Sequence, residues 1–161
     1  MPSIELDAVS LIKLLAEKQL RLAVAESCTG GLVGSLLSGV PGASDVFWGG
    51  FITYTVDAKQ KMLGIDAALL ERYGAVSMEC ASAMAASVRE HADADLALSV
   101  TGLAGPLGDG SLNPVGTVWI GSSRRGAPPF AQVQHFTGSR NEVREKAAAA
   151  AIRLGIELVK H

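Results

Sequence analysis

Four apolar residues, Leu22 to Ala25, run directly into Glu26, Ser27, Cys28, Thr29, Gly30 and Gly31, after which apolar residues recur at helical spacing as far as Gly39 and Pro41. A short uninterrupted apolar run is the mark of a strand covered on both faces, and the glycines provide the tight turn that lets a helix follow at once. A strand handing over to a helix in so few residues points to an α/β fold. The rest of the chain repeats that alternation. Ile4, Ala8, Leu11, Ile12 and Leu15 predict a helix over 4–19. Residues 45–55 are rich in β-branched and aromatic types and read as a strand, with Gly49 and Gly50 marking a bend or bulge.

A helix starts near Asp57, a short one capped by Asp66 stops at Gly74, and Ser77 caps a longer one with Ala81, Met84, Ala85 and Val88 on one face. Residues 95–102 form a buried strand, and 115–123 and 130–136 form a strand pair joined by Arg-Arg-Gly-Ala-Pro-Pro. Ser139 and Glu142 stand in capping-box spacing before a last helix, whose buried stripe is Val143, Ala147, Ala150, Ala151, Leu154 and Leu158. Strands separated by helices predict a sheet covered on both faces, and the late strand pair supplies at least one antiparallel neighbour.

A length of 161 residues suits one domain, 1–161, with roughly 70% of the unfolded surface hidden. A net charge of −2 leaves no field for holding a polyanion, so nucleic acid is excluded as a partner. The two cysteines, Cys28 and Cys80, make no disulfide framework and no zinc spacing, so no metal is expected and a reducing compartment, the cytoplasm, fits. Glu5 and Asp7 are wrong for a signal peptide, and no stretch reaches the roughly 18 apolar residues of a membrane span. A soluble protein is expected, and an alanine-rich compact domain with little aromatic surface is compatible with a homodimer through helix packing.

The strand-to-helix turn carries the chemistry. A serine before a helix start is exposed, and free N–H groups of the first turn face any negative charge that develops beside it. Gly30 and Gly31 let a substrate approach the backbone, and Thr29 adds a hydroxyl. Alternatively, Ser27 or Thr29 merely caps the helix. A serine nucleophile needs a base, but His91, His135 and His161 adjoin no motif and read as surface or packing residues. Lys59 and Lys61 remain. Two residues apart on a helix, they point roughly 200° from one another, so at most one faces the serine. Cys28 is the rival nucleophile, since a helix N-terminus lowers a thiol pKa; if Ser27 faces a site, however, Cys28 faces the core.

The strings AESCTGG (25 to 31), VPGASDVFWGGFITYTVDAKQKMLGI (40 to 65), YGAVS (73 to 77), SVTGLAGP (99 to 106) and PVGTVWI (114 to 120) together, in order and spacing, resemble the CinA C-terminal domain family. The resemblance implies a three-layer α/β/α sandwich around a mixed, mostly parallel sheet. It implies a nicotinamide-nucleotide amidase that converts nicotinamide mononucleotide to nicotinate mononucleotide and ammonia without a cofactor. The family's serine and lysine pair falls on Ser27 and Lys59, leaving Lys61 a surface role. Oxyanion and substrate contacts are expected around Cys28, Thr29, Gly30, Gly31, Tyr54, Thr101, Gly102 and Gly105. The substrate is a small nucleotide, and its phosphate is expected at the start of the last helix, beside Arg140 and Arg144 on one face.

Two departures stand out. Ser139 replaces the family's aspartate, keeping the cap but losing a carboxylate, and Leu107-Gly108-Asp109 replaces a more glycine-rich run at the pocket rim. Many family members carry a large additional N-terminal domain, whereas this chain begins directly at the amidase-like part. The other readings are a non-catalytic pyridine-nucleotide binding or regulatory module and an amidase for another carboxamide. A physiological role in NAD salvage or in competence and damage response rests on the family name.

Overall fold

The computed structural model describes residues 3–161. Helix α1 (Ile4–Lys18) starts at Ser3, whose hydroxyl accepts from Leu6 N–H, and its buried stripe is Ala8, Leu11, Ile12 and Leu15. Strand β1 (Leu22–Glu26), buried at every position, leads to α2 (Leu32–Ser38). A 3-10 turn (Ala43–Asp45) precedes β2 (Phe47–Ile52), which is followed by α3 (Val56–Leu63), α4 (Ala67–Tyr73) and α5 (Met78–Ala92). The chain then forms β3 (Leu96–Gly102), β4 (Thr117–Arg124), β5 (Phe130–His135) and α6 (Arg140–Lys160).

The five strands lie in the order β2-β1-β3-β4-β5. β1 pairs in parallel with both β2 and β3, while β4 is antiparallel to β3 and β5 antiparallel to β4. Four of the five strands therefore run in one direction, giving the mixed α/β sheet. Helices α1, α2 and α6 share one hydrophobic core against the sheet, and α5, with the ends of α3 and α4, builds a second on the other face. Successive side chains of β1 alternate between these cores: Leu22 and Val24 belong to the first, Ala23 and Ala25 to the second. Gly121 of β4 lets α5 approach closely, since a Cβ there would strike the carbonyl of Ala81.

Three local expectations shift, each for a physical reason. The strand expected over 45–55 ends at Ile52, because Thr55 serves as the N-cap of α3, its hydroxyl accepting from Ala58 N–H at 3.0 Å. The irregularity expected at Gly49 and Gly50 falls one step earlier: Leu22 pairs with Phe47 and Ala23 with Gly49, which leaves Trp48 as the extra residue. The helix after β1 begins only at Leu32, because Gly30 (φ 59°) and Gly31 (φ 101°) adopt the left-handed conformation and form a turn instead. Among the described residues no helix is long and apolar enough to cross a membrane.

Candidate active site

The carboxyl ends of the three parallel strands converge where the chain leaves β1 for α2, and connections from β1 and β2 depart over opposite faces of the sheet. Such a switch point opens a crevice in α/β sheets. Ser27 is the first residue beyond β1; its N–H donates to Val100 O of β3 at 2.9 Å, which ties the turn to the neighbouring strand. Continuing the alternation of β1, Ser27 follows Ala23 and Ala25 toward the α3 and α5 side.

Lys59 approaches from α3. Its side chain is only 1% exposed, and Nζ lies 2.8 Å from Ser27 Oγ and 2.8 Å from the carbonyl oxygen of Thr53. Burial lowers the Lys59 pKa from its ordinary value, an effect only partly countered by the thiols of Cys80 and Cys28. A neutral amine donates one N–H to Thr53 O and turns its lone pair to the serine O–H. That is the arrangement of a general base and its nucleophile. Ser27 Oγ also lies 3.4 Å from the Tyr54 carbonyl. Lys61, two residues on, faces solvent and pairs with Asp57 at 3.2 Å.

Cys28 points the other way, into the α1, α2 and α6 core, and burial pushes its thiol up to about 11. Cys80, equally buried on the Lys59 side, is likewise pushed up to about 11 by burial. None of the three histidines joins the pair. His91 Nδ1 sits 2.9 Å from Ser87 O near the end of α5, His135 stands at the end of β5, and His161 is the exposed terminal residue. Among the described residues no three His, Cys, Asp or Glu side chains cluster as metal ligands would.

The expectation of free N–H groups in the first turn of α2 needs correcting. Glu26, 2% exposed, accepts from Val33 N–H at 2.9 Å and from Gly34 N–H at 3.0 Å. The alternation of β1 sends this carboxylate toward the α2 layer, and a buried carboxylate is stable there only with donors, which a helix start supplies. Glu26 escaped the sequence reading; its signal was an acid at an inward-facing strand position one residue before a turn. The donors left over are N–H groups of the turn itself. Gly30 N–H closes on Ser27 O at 3.0 Å, while those of Thr29 and Gly31 donate to no backbone or side-chain oxygen among the described residues.

Around the pair, Arg140 links two walls of the crevice: Nη2 donates to the Tyr54 hydroxyl at 2.6 Å and Nη1 to the Gly105 carbonyl at 2.5 Å. Thr101 is buried, with its hydroxyl donating to Ala75 O at 2.7 Å. Gly102 keeps β3 tight against β4, since a Cβ there would lie 2.7 Å from Val118 Cγ2. The start of α6 is also less open than expected. Glu142 Oε2 accepts from Ser139 N–H at 2.8 Å and Ser139 Oγ from Glu142 N–H at 3.2 Å, so the capping box consumes both donors. Arg144 reaches the nucleophile turn, donating through Nε to Cys28 O at 3.1 Å and through Nη2 to Thr29 O at 3.0 Å.

Relatives share this framework. Residues 6–159 match the model of the CinA C-terminal domain. A putative competence-damage inducible protein of Lacticaseibacillus casei is 44% identical over 154 residues, covering 95% of this chain and 37% of that protein. A CinA-like protein of Thermotoga maritima is 41% identical over 142 residues, covering 88% and 34%. The chain thus spans about a third of the length of these curated relatives. Among solved structures, a CinA superfamily protein from Escherichia coli superposes with a TM-score of 0.93 at 37% identity, covering 99% of this chain and 91% of that one. One from Klebsiella pneumoniae gives 0.95 at 30% identity, covering 99% of both. With the family model spanning nearly its whole length and these structures superposing on its fold, the chain belongs to the CinA C-terminal domain family.

Proposed function

We propose that the chain is a serine and lysine amidohydrolase that deamidates nicotinamide mononucleotide. The observation that carries this reading is the buried 2.8 Å contact between Lys59 Nζ and Ser27 Oγ, with no histidine beside it. Neutral Lys59 takes the Ser27 proton as Oγ attacks the carboxamide carbon. The oxyanion is held by N–H groups of the turn, of which that of Gly31 is partly exposed and has no other acceptor among the described residues. Lys59 then returns the proton to the departing nitrogen, ammonia leaves, and a nicotinoyl ester remains on Ser27. Water, deprotonated by Lys59, attacks the ester; the carboxylate product departs and Ser27 regains its proton.

The phosphate falls to Arg140, because Arg144 is anchored to the nucleophile turn through Nε and Nη2, on Cys28 O and Thr29 O. The present partners of Arg140 are neutral oxygens, and a phosphate offers stronger charge-assisted bonds in their place. Two buried free thiols suit a reducing compartment, and the reaction is assigned to the cytoplasm on that ground.

Incubation with nicotinamide mononucleotide, followed by assay of ammonia and nicotinate mononucleotide in equal amounts, tests the reading. A nucleotide-binding module yields neither product. An amidase of other specificity releases ammonia from another carboxamide and little from this one.

A further inference from the structure

Residues 103–116 join β3 to β4, antiparallel neighbours that a tight hairpin could connect. Connections this long without secondary structure are characteristic of binding loops and lids. The neck of the loop is closed: Leu103 N–H donates to Thr117 O at 2.9 Å, Gly116 N–H donates to Leu103 O at 2.7 Å, and a Cβ on Gly105 would strike Val115. Beyond the neck, two contacts hold the loop on opposite faces of the sheet. Gly105 O accepts from Arg140 of α6, and Asn113 Nδ2 donates to Val76 O at 3.1 Å, just ahead of α5. The segment between them therefore arches over the carboxyl end of β3.

That arch stands beside the nucleophile. Ser27 Oγ lies 3.4 Å from Tyr54 O, the Tyr54 hydroxyl accepts from Arg140, and Arg140 reaches Gly105. The tip, 106–112, is exposed at every residue, and among the described residues its hydrogen bonds stay within 109–113: Asp109 accepts from Ser111 N–H at 2.9 Å, and Ser111 Oγ accepts from Asn113 N–H at 3.2 Å. Leu107 is 85% exposed and Leu112 entirely so. Two leucines on such a tip gain by being covered, and no hydrogen bond to the body of the protein holds them back. The neck is restrained by Arg140, whose acceptor there is a neutral carbonyl. A phosphate in the crevice offers the guanidinium stronger, charge-assisted bonds and frees Gly105.

We propose that residues 106–112 form a phosphate-gated lid: a nucleoside monophosphate draws Arg140 off Gly105, and the released tip closes over the crevice and lays Leu107 and Leu112 on the bound substrate. Closure shields the Ser27 and Lys59 pair from bulk water while the amide is attacked. The inference rests on the amidase reading for its choice of nucleotide, but the motion of the loop does not.

The test sets the Leu107→Ser, Leu112→Ser double variant beside the parent. Both side chains are exposed in the open loop, so the melting temperature should match the parent's. With nicotinamide mononucleotide, kcat/KM should fall about tenfold to a hundredfold, the scale of uncovering a leucine. Nicotinamide riboside lacks the phosphate and leaves Arg140 on Gly105, so on it the two proteins should have the same kcat/KM. An unchanged kcat/KM on the mononucleotide, or an equal loss on both substrates, overturns the gated lid.

A second readout needs no turnover. Chymotrypsin should cut the open tip after Leu107 and Leu112, and mononucleotide bound to Ser27→Ala should slow those cuts by about tenfold or more, because cleavage follows the population of the open form. Cuts as fast with the mononucleotide bound as without it overturn the lid, whatever the amidase assay gives. If the cuts slow but the parent releases no ammonia, the amidase reading fails and the lid stands. A parent that binds no mononucleotide loses both.

Discussion

Lys59 and Lys61, two residues apart on one short helix, occupy opposite environments: Lys59 is 1% exposed against Ser27, whereas the Lys61 side chain is 76% exposed beside Asp57. Desolvation holds the Lys59 pKa below the ordinary lysine value of 10.5, so the neutral base is available at a lower pH than in a solvated lysine. The rate of acylation should rise with pH and level off before 10.5. The same shift has a stability side. Between the folded Lys59 pKa and 10.5 the unfolded chain holds a proton that the folded one lacks, so stability grows with pH across that window. Lys59→Met should therefore be inactive yet melt higher than the parent below the window, with the gain fading as pH climbs toward 10.5. Activity profiles and melting curves at several pH values check both halves.

Ser27→Ala removes the nucleophile, and kcat should fall by about ten-thousandfold or more, with the melting temperature nearly unchanged. Cys28→Ala, which trims a side chain in the opposite core, should leave kcat within about twofold and cost about 1 kcal/mol of stability. Steady-state kinetics beside urea unfolding separate the two. The reverse pattern would make Cys28 the nucleophile.

Glu26→Ala strands the N–H groups of Val33 and Gly34 in a buried setting, which should cost about 1–3 kcal/mol per unpaired donor in urea unfolding. Glu26→Gln retains one acceptor oxygen and should lose less. Because Glu26 adjoins Ser27, both changes should also lower kcat through displacement of the turn. An unchanged unfolding midpoint in Glu26→Ala would show that the two donors find another partner.

Arg140→Ala should raise KM for nicotinamide mononucleotide roughly tenfold to a hundredfold, the scale of a lost charge-assisted contact, while leaving kcat within a few fold. The same substitution should not alter KM for nicotinamide riboside, which lacks the phosphate. Parallel kinetics on the two substrates make the comparison, and an equal effect on both would remove the phosphate from Arg140.

Much of the fold was legible because it rests on local periodicity. The caps at Asp66, Ser77 and Ser139, the strand at 95–102 and the last helix all stand where apolar spacing and side-chain oxygens put them. The nearness of Ser27 to Lys59 was legible only through resemblance, since 32 residues and a whole strand separate them and spacing carries no record of such a contact. Glu26, and the contact of Arg144 with the turn in place of its expected phosphate role, were hidden for another reason. Both act on main-chain atoms of the turn, and a backbone N–H or C=O leaves no trace in the identity of the residue that bears it.

The alternation of β1 sorts consecutive residues into separate rooms: Glu26 opens onto α2, Ser27 onto Lys59, and Cys28 back onto the first core. The strand is a partition with a period of two residues, so one residue inserted ahead of Glu26 exchanges the tenants. The carboxylate would enter the lysine chamber and hold the base in its protonated form, and the hydroxyl would turn away from the base into the first core. Any grafting or recombination of this segment therefore has to keep the parity of the strand.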